Sequence, residues 1–280
     1  MRKSQAYYAK VKRDKFDLCN ICRKQASLSW DHVPPRGGIE VTPVEQETIL
    51  QRLTGKENEK IVRISQNGVK FRTICDGCNN TLLGRKYDPV LNDFALGVGR
   101  FLNATLEITP IIKYETRPNL LIRAIVGHLL AAKGYFENTT IDEKLRNFIL
   151  DESADFPDNL RIFYWVYPYP YVVVIRDVVM PAVRGNFGTK SCFSILKYFP
   201  IAYLVCDLAH YEGLDDLTFY YDENSSKLVN IPIKLRQVKH PEWPELVDDT
   251  NFMVGGQSFK SSLFATPRSI LANKTNAADR

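Results

Sequence analysis

Cys19-Asn20-Ile21-Cys22, Trp30-Asp31-His32-Val33-Pro34-Pro35 and Cys75-Asp76-Gly77-Cys78-Asn79-Asn80 are the three strings on which the reading of this chain turns. Two Cys-x-x-Cys pairs bracket an Asp-His dipeptide. Each tight knuckle presents two sulfurs, so the four thiolates of Cys19, Cys22, Cys75 and Cys78 suit one tetrahedral zinc. Thiol redox chemistry is disfavoured, because Asn-Ile and Asp-Gly separate the pairs and no thioredoxin-like βαβ pattern surrounds them. A carboxylate beside an imidazole, faced by an amide at a helix start, suits a second metal site of the hydrolytic kind.

Outward from these strings, residues 26–30 read as a strand that delivers Asp31 and His32 at its end. Pro34, Pro35, Gly37 and Gly38 then force an irregular loop. Residues 40–60 read as an insertion, with 43–53 a short amphipathic helix. Residues 61–64 and 69–74 alternate on either side of Asn67-Gly68, which signals a hairpin. The second knuckle opens a helix at Asn79. Asp88-Pro89 reads as an N-cap followed by proline in the first turn of a helix over 90–102. Another helix follows Pro118, and His128 lies on its apolar stripe as a packed core histidine.

From about residue 160 the texture changes to strands: 161–174, 193–196, 201–206, 217–221 and 228–235, with 221–228 as a hairpin loop. Short connections favour an antiparallel sheet. Phe163, Trp165, Tyr167, Tyr169 and Tyr171 alternate, so an unbroken strand puts them on one face, as core rather than as a base-stacking stripe. Residues 259–280 read as a polar tail. The fold class is therefore α+β: an N-terminal zinc-stabilised unit of strands and a helix, a helical middle segment and a C-terminal, mostly antiparallel β region. The expected divisions are 1–100, 101–257 and 258–280.

The two knuckles, the Asp31-His32-Val33-Pro34-Pro35 string, Gly37-Gly38 and Asn79 resemble the four-cysteine form of the HNH endonucleases, also called ββα-metal or His-Me finger nucleases. The resemblance covers residues 15–90, about a third of the chain. It implies that His32 is the general base that activates water, and that Asp31 holds a divalent metal together with Asn79. Asn80 takes the place of Asn79 if the helix starts one step later. Oxygen ligands of this kind suit Mg²⁺ or Mn²⁺ better than zinc. Arg36, Arg85 and Lys86 are the candidate phosphate contacts. The chain departs from the family before the second knuckle, where Lys70-Phe71-Arg72-Thr73-Ile74 offers no Asn or His to orient the base.

Charge agrees with a nucleic-acid partner. Residues 1–100 carry 18 Lys+Arg against 11 Asp+Glu, whereas the whole chain has 37 against 32. The surplus positive charge travels with the knuckles, and a basic face binds phosphate backbones by counterion release. Residues 1–15 read either as a basic arm or as a polar lead-in. No apolar run is long enough to span a bilayer, and the N-terminus carries no apolar signal segment. Six cysteines, four of them in metal spacing, fit a reducing cytoplasm.

The expected function is a metal-dependent endonuclease on double-stranded DNA, by analogy in restriction or anti-phage defence. A homodimer suits cleavage of both strands. Two alternatives stand beside it: a non-catalytic zinc-knuckle nucleic-acid-binding protein, and an effector nuclease switched on by a partner bound to the C-terminal region. That region carries no phosphate-cradling glycine loop, no nucleophile elbow and no further metal cluster. His210, His240, Asp215-Asp216 and Asp248-Asp249 read as ordinary surface, core or loop residues.

Overall fold

The computed structural model describes residues 11–54, 63–104, 109–134, 136, 138–181, 190–207, 213–235, 242–244, 258–259 and 261–271. Most of the basic N-terminal arm, His210, His240 and Asp248-Asp249 lie outside the described residues.

Strands β1 (Val11–Lys12), β2 (Phe16–Leu18) and β3 (Gln25–His32) come first, then a helical turn at Arg36–Gly38. They are followed by β4 (Val44–Glu47), helix α1 (Ile49–Thr54), β5 (Arg63–Ser65) and β6 (Lys70–Cys75). A wide, π-type helix over Gly77–Tyr87 runs without a break into α2 (Asp88–Leu102). Next are β7 (Ile111–Thr116), α3 (Pro118–Ala131) and α4 (Thr140–Leu150). The remainder is β8 (Arg161–Val166), β9 (Val172–Pro181), β10 (Lys190–Tyr198), β11 (Ile201–Cys206), β12 (Asp215–Asp216), β13 (Val229–Lys234) and β14 (Ser262–Pro267).

The fold is α+β, as the hydrophobic patterning indicates. A small sheet, in the order β1-β6-β3-β2, carries the Asp-His dipeptide, and a large antiparallel sheet runs β12-β8-β11-β10-β9-β14-β4-β5. β7 and β13 form a separate pair. Along β8 and β11, Ile162, Tyr164, Tyr203 and Val205 pack toward the helices, while Phe163, Trp165, Ala202 and Leu204 fill the opposite face. The period of two thus buries both faces of the large sheet. Tyr167 belongs to that second face and Tyr169 and Tyr171 pack against it, so the aromatic stripe is core even though Pro168 and Pro170 end β8.

Several local expectations are corrected. Residues 43–53 are not one helix: Val44–Glu47 is a strand paired with β14, and only Ile49–Thr54 is helical. The Asn67-Gly68 turn exists, with Gly68 at φ +63°, but its flanking strands go to different sheets, β5 to β4 and β6 to β3. Leu217–Tyr220 is a 3₁₀ turn rather than part of a strand over 217–221, so 221–228 is not a hairpin loop. The expected tail supplies β14, an interior strand between β9 and β4. The division expected near residue 100 falls inside α2, and one continuous apolar cluster runs from Cys19 to Ala265. For β4, β5, β6 and β14 a strand distant in sequence overrides local propensity, whereas the 3₁₀ turn is capped locally by Asp216 Oδ1, which accepts from Thr218 N–H.

Candidate metal centre and active site

The first knuckle closes through backbone bonds from Cys19 N–H to the Lys24 carbonyl (2.9 Å) and from Arg23 N–H to the Cys19 carbonyl (3.0 Å). Arg23 takes the left-handed conformation at φ 61°. Asn20 is buried and anchors the knuckle to the end of α3: its Nδ2 donates to the carbonyls of Leu130 (3.1 Å) and Lys133 (3.0 Å), and Arg13 Nη1 donates to its Oδ1 (2.6 Å). The second knuckle joins β6 to the helix that starts at Gly77, two residues before the expected start.

The two knuckles meet. One sulfur from each of Cys19, Cys22, Cys75 and Cys78 lies within 4.8 Å of all the others, and this is the one His/Cys/Asp/Glu cluster of metal-binding geometry among the described residues. The Cys22 and Cys75 sulfurs are 3.7 Å apart. Zn–S bonds of about 2.3 Å in a tetrahedron put sulfurs about 3.8 Å apart, so the cluster can hold a metal such as zinc. The thiols already compete for ionisation. The Cys78 thiol holds Cys19 down to about 5, while burial pushes Cys22 up to about 11. A divalent cation at the centre relieves that competition by stabilising all the thiolates together.

Between the knuckles, β3 and β6 pair through a bulge. Leu28 faces Cys75 and Ser29 faces Ile74, but Trp30 then faces Arg72, leaving Thr73 as the extra residue. The bulge re-aims the end of β3. Asp31 turns inward opposite buried Phe71, while Trp30 and His32 share the outer face with Arg72 and Lys70. The bulge is itself anchored, since Thr73 Oγ1 donates to the Ala131 carbonyl at 2.5 Å.

His32 is half-buried, and its Nε2 is buried with no hydrogen-bond partner among the described residues. Gly68 backs the ring: a Cβ there would lie 3.9 Å from His32 Cδ2. Burial, reinforced by the charges of Arg36 and Lys70, holds the imidazole below its usual 6.5 against the opposing pull of Asp31. The Asn67 backbone carbonyl acts on the ring as an acceptor. A neutral imidazole with an unpartnered nitrogen is what a general base requires near pH 7.

Asp31 is only 4% exposed. Its Oδ2 lies 3.2 Å from Nδ1 of His128, whose Nε2 lies 2.8 Å from Asp88 Oδ1. His128 is in the core, as the α3 stripe indicates, but it is clamped between two carboxylates brought from β3 and from the start of α2. Asp88 is consequently not an N-cap: the preceding helix runs straight through it. Burial pushes the Asp31 carboxyl up and opposes charge on His128. The flanking carboxylates of Asp88 and Asp31 outweigh that on the imidazole and hold it protonated up to about 10.

Asn79 Nδ2 donates to Ser29 Oγ (3.0 Å) and to the Trp30 carbonyl (2.9 Å), which ties the helix start to the residue before Asp31. Asn80 is exposed and donates to Asp76 (2.5 Å). Arg36 and Arg85 are exposed, whereas Lys86 is ion-paired with Glu152. Asp215 and Asp216 pair with Lys234 and Arg161 and serve the β12 turn. The sequence reading missed the His128–Asp88 clamp and the shared face of Trp30, Lys70 and Arg72. The spacing of α3 marks His128 as inward but carries no sign of its partners. No helix of the described residues is long and apolar enough to cross a membrane. No protein-family model, curated protein or solved structure matches the chain.

Proposed function

We propose that this protein is a zinc-stabilised, metal-dependent DNA endonuclease of the HNH type. The observation that carries the reading is the bulged end of β3, where a neutral His32 with an unpartnered Nε2 shares the outer face with Lys70 while Asp31 faces inward, on the strand that pairs with the second knuckle. Phosphodiester hydrolysis needs a base, an activated water and charge stabilisation at the phosphorus and the leaving oxygen. His32 Nε2 takes the proton from the attacking water. Asp31 and Asn79 supply oxygens for a divalent cation: His128 occupies Oδ2 of Asp31, and Asn79 donates through its nitrogen, so Asp31 Oδ1 and the Asn79 oxygen are the remaining donors. An all-oxygen set fits Mg²⁺ or Mn²⁺, which when bound stabilises charge on the phosphate. His128 acts behind Asp31, fixing the carboxylate's orientation as ligand-supporting partners do in metal sites.

The burial of Asp31 against His128 also favours a second reading, a zinc-stabilised module that binds nucleic acid without cutting it. Supercoiled plasmid incubated with the zinc-loaded protein in Mg²⁺, Mn²⁺ or EDTA, alongside folded His32→Ala, separates the two. Metal-dependent relaxation or linearisation that is lost in His32→Ala is the expected result. Binding without cleavage by either protein selects the module. Cleavage retained by His32→Ala removes His32 as the base.

A further inference from the structure

Lys70 and Arg72 have no part in the chemistry proposed above, yet they share the face of His32. Lys70 is the cross-strand partner of His32, and Arg72 is that of Trp30. Both cations sit over the Trp30 ring, at 5.4 Å and 5.5 Å from its centroid. Neither forms an ion pair with an acid among the described residues. The Arg72 guanidinium gives Nη2 to the Arg13 carbonyl (2.5 Å), and its Nε is buried with no partner among the described residues. Neighbouring Arg13, by contrast, is fully engaged by Asp17 and Asn20.

A desolvated N–H without an acceptor is costly, and an anion supplied by a ligand removes that cost. Same-face positions on a strand recur every ~6.8 Å, so Lys70 and Arg72 make a row rather than a single point of charge. A polyanion with regularly spaced charges matches a row. The aromatic ring holds the two long side chains in place by cation–π attraction.

We propose that Lys70 and Arg72, held over Trp30, form a binding strip for the phosphate backbone of a nucleic acid. Lys70 positions the phosphate that faces His32, and Arg72 takes the next one along. The assignment of the phosphate at His32 rests on the nuclease reading; the strip itself does not. All three are positioning residues.

Binding of a fluorescent 20-base-pair duplex, measured across a KCl series without added divalent metal, tests the strip. Lys70→Met and Arg72→Met each flatten the slope of log K against log salt by about 0.9 and weaken binding several-fold. Trp30→Leu keeps both charges, so it weakens binding while retaining the slope. Exposed Lys113→Met on β7 leaves both unchanged, and zinc content and circular dichroism identify any variant that fails to fold. Unchanged slopes in both cation variants overturn the strip, even if the wild-type protein cuts plasmid normally. Flattened slopes in a protein that cuts nothing uphold the strip and reject the nuclease reading. No binding by the wild-type protein at low salt overturns both.

Discussion

Arg23 and His128 show how single residues are set by partners far away in sequence. Arg23 closes the first knuckle in a left-handed conformation that costs a side-chain-bearing residue about 1–2 kcal/mol. Its exposed ion pair with Glu143 offsets little of this. Arg23→Gly is therefore expected to leave stability unchanged or to raise it by up to ~1 kcal/mol. Arg23→Val, with a β-branched side chain in the same turn, should lower it by at least as much. Urea denaturation of the zinc-loaded variants reads both, and a destabilised Arg23→Gly contradicts the argument. His128 lies between the carboxylates of Asp31 and Asp88; the histidine and Asp31 are buried and Asp88 is partly so. His128→Leu fills the space but removes the cation, leaving the buried Asp31 carboxylate and the partly buried Asp88 carboxylate without it. Loss of one side of a buried ionic set costs about 3–5 kcal/mol. The same measurement should show a loss of that size; a loss under 1 kcal/mol would mean the clamp is incidental packing.

Among the elements, the knuckles and the ion cluster at the end of α3 carry distinct liabilities. Cys75→Ser removes one sulfur from the metal cluster, and structural zinc sites hold about 10–16 kcal/mol of binding free energy. Metal analysis should find zinc absent, and the thermal transition of the protein should be lowered or lost. Near the end of α3, buried Lys133 pairs with Asp142 and with Asp177 on β9, and Arg176 reaches both aspartates. Burial pushes the Asp177 carboxyl up, but Arg176 and Lys133 outweigh it and hold the group below its usual 3.8. A carboxylate depressed on folding stabilises the protein above its unfolded pKa, and that contribution fades as pH falls through the folded value. Asp177→Asn should therefore be less stable than wild type at pH 7, with the difference shrinking below about pH 4. A difference that stays constant from pH 7 to pH 3 would assign the effect to packing instead.

At the scale of the whole molecule, the large sheet binds the chain's two ends together. β4 and β5 come from the first quarter and β14 from the last twenty residues, and all three add to the edge of β9. Truncation after residue 257 removes the interior strand β14 and uncovers the edges of β9 and β4. Exposed apolar edges of this kind pair with other chains. Such a fragment should be insoluble, or should lack a cooperative thermal transition. Residues 1–100 expressed alone should fail in the same way even with zinc, because the core packed around Cys19, Leu83 and Phe94 is continuous with α3 and the sheet. A soluble, cooperatively melting 1–100 fragment would show that this segment folds by itself.

The sequence by itself determined the local features. The cysteine pairs meet as their spacing indicates, α3 begins at Pro118, β11 covers Ile201–Cys206, and the aromatic alternation reports burial. Each of these depends on short-range geometry: a knuckle turn, a proline at a helix start, a period of two. Tertiary structure alone decided the rest. The Thr73 bulge chooses which way Asp31 and His32 face, because one extra residue on β6 inverts the alternation of the paired strand. His128 acquires its carboxylates from β3 and α2, 97 and 40 residues away along the chain. β14 is a strand because β9 and β4 offer it two open edges, although its own surroundings in sequence are those of a polar tail. Periodicity specifies that a side chain is buried. What it meets there depends on segments that only folding brings together.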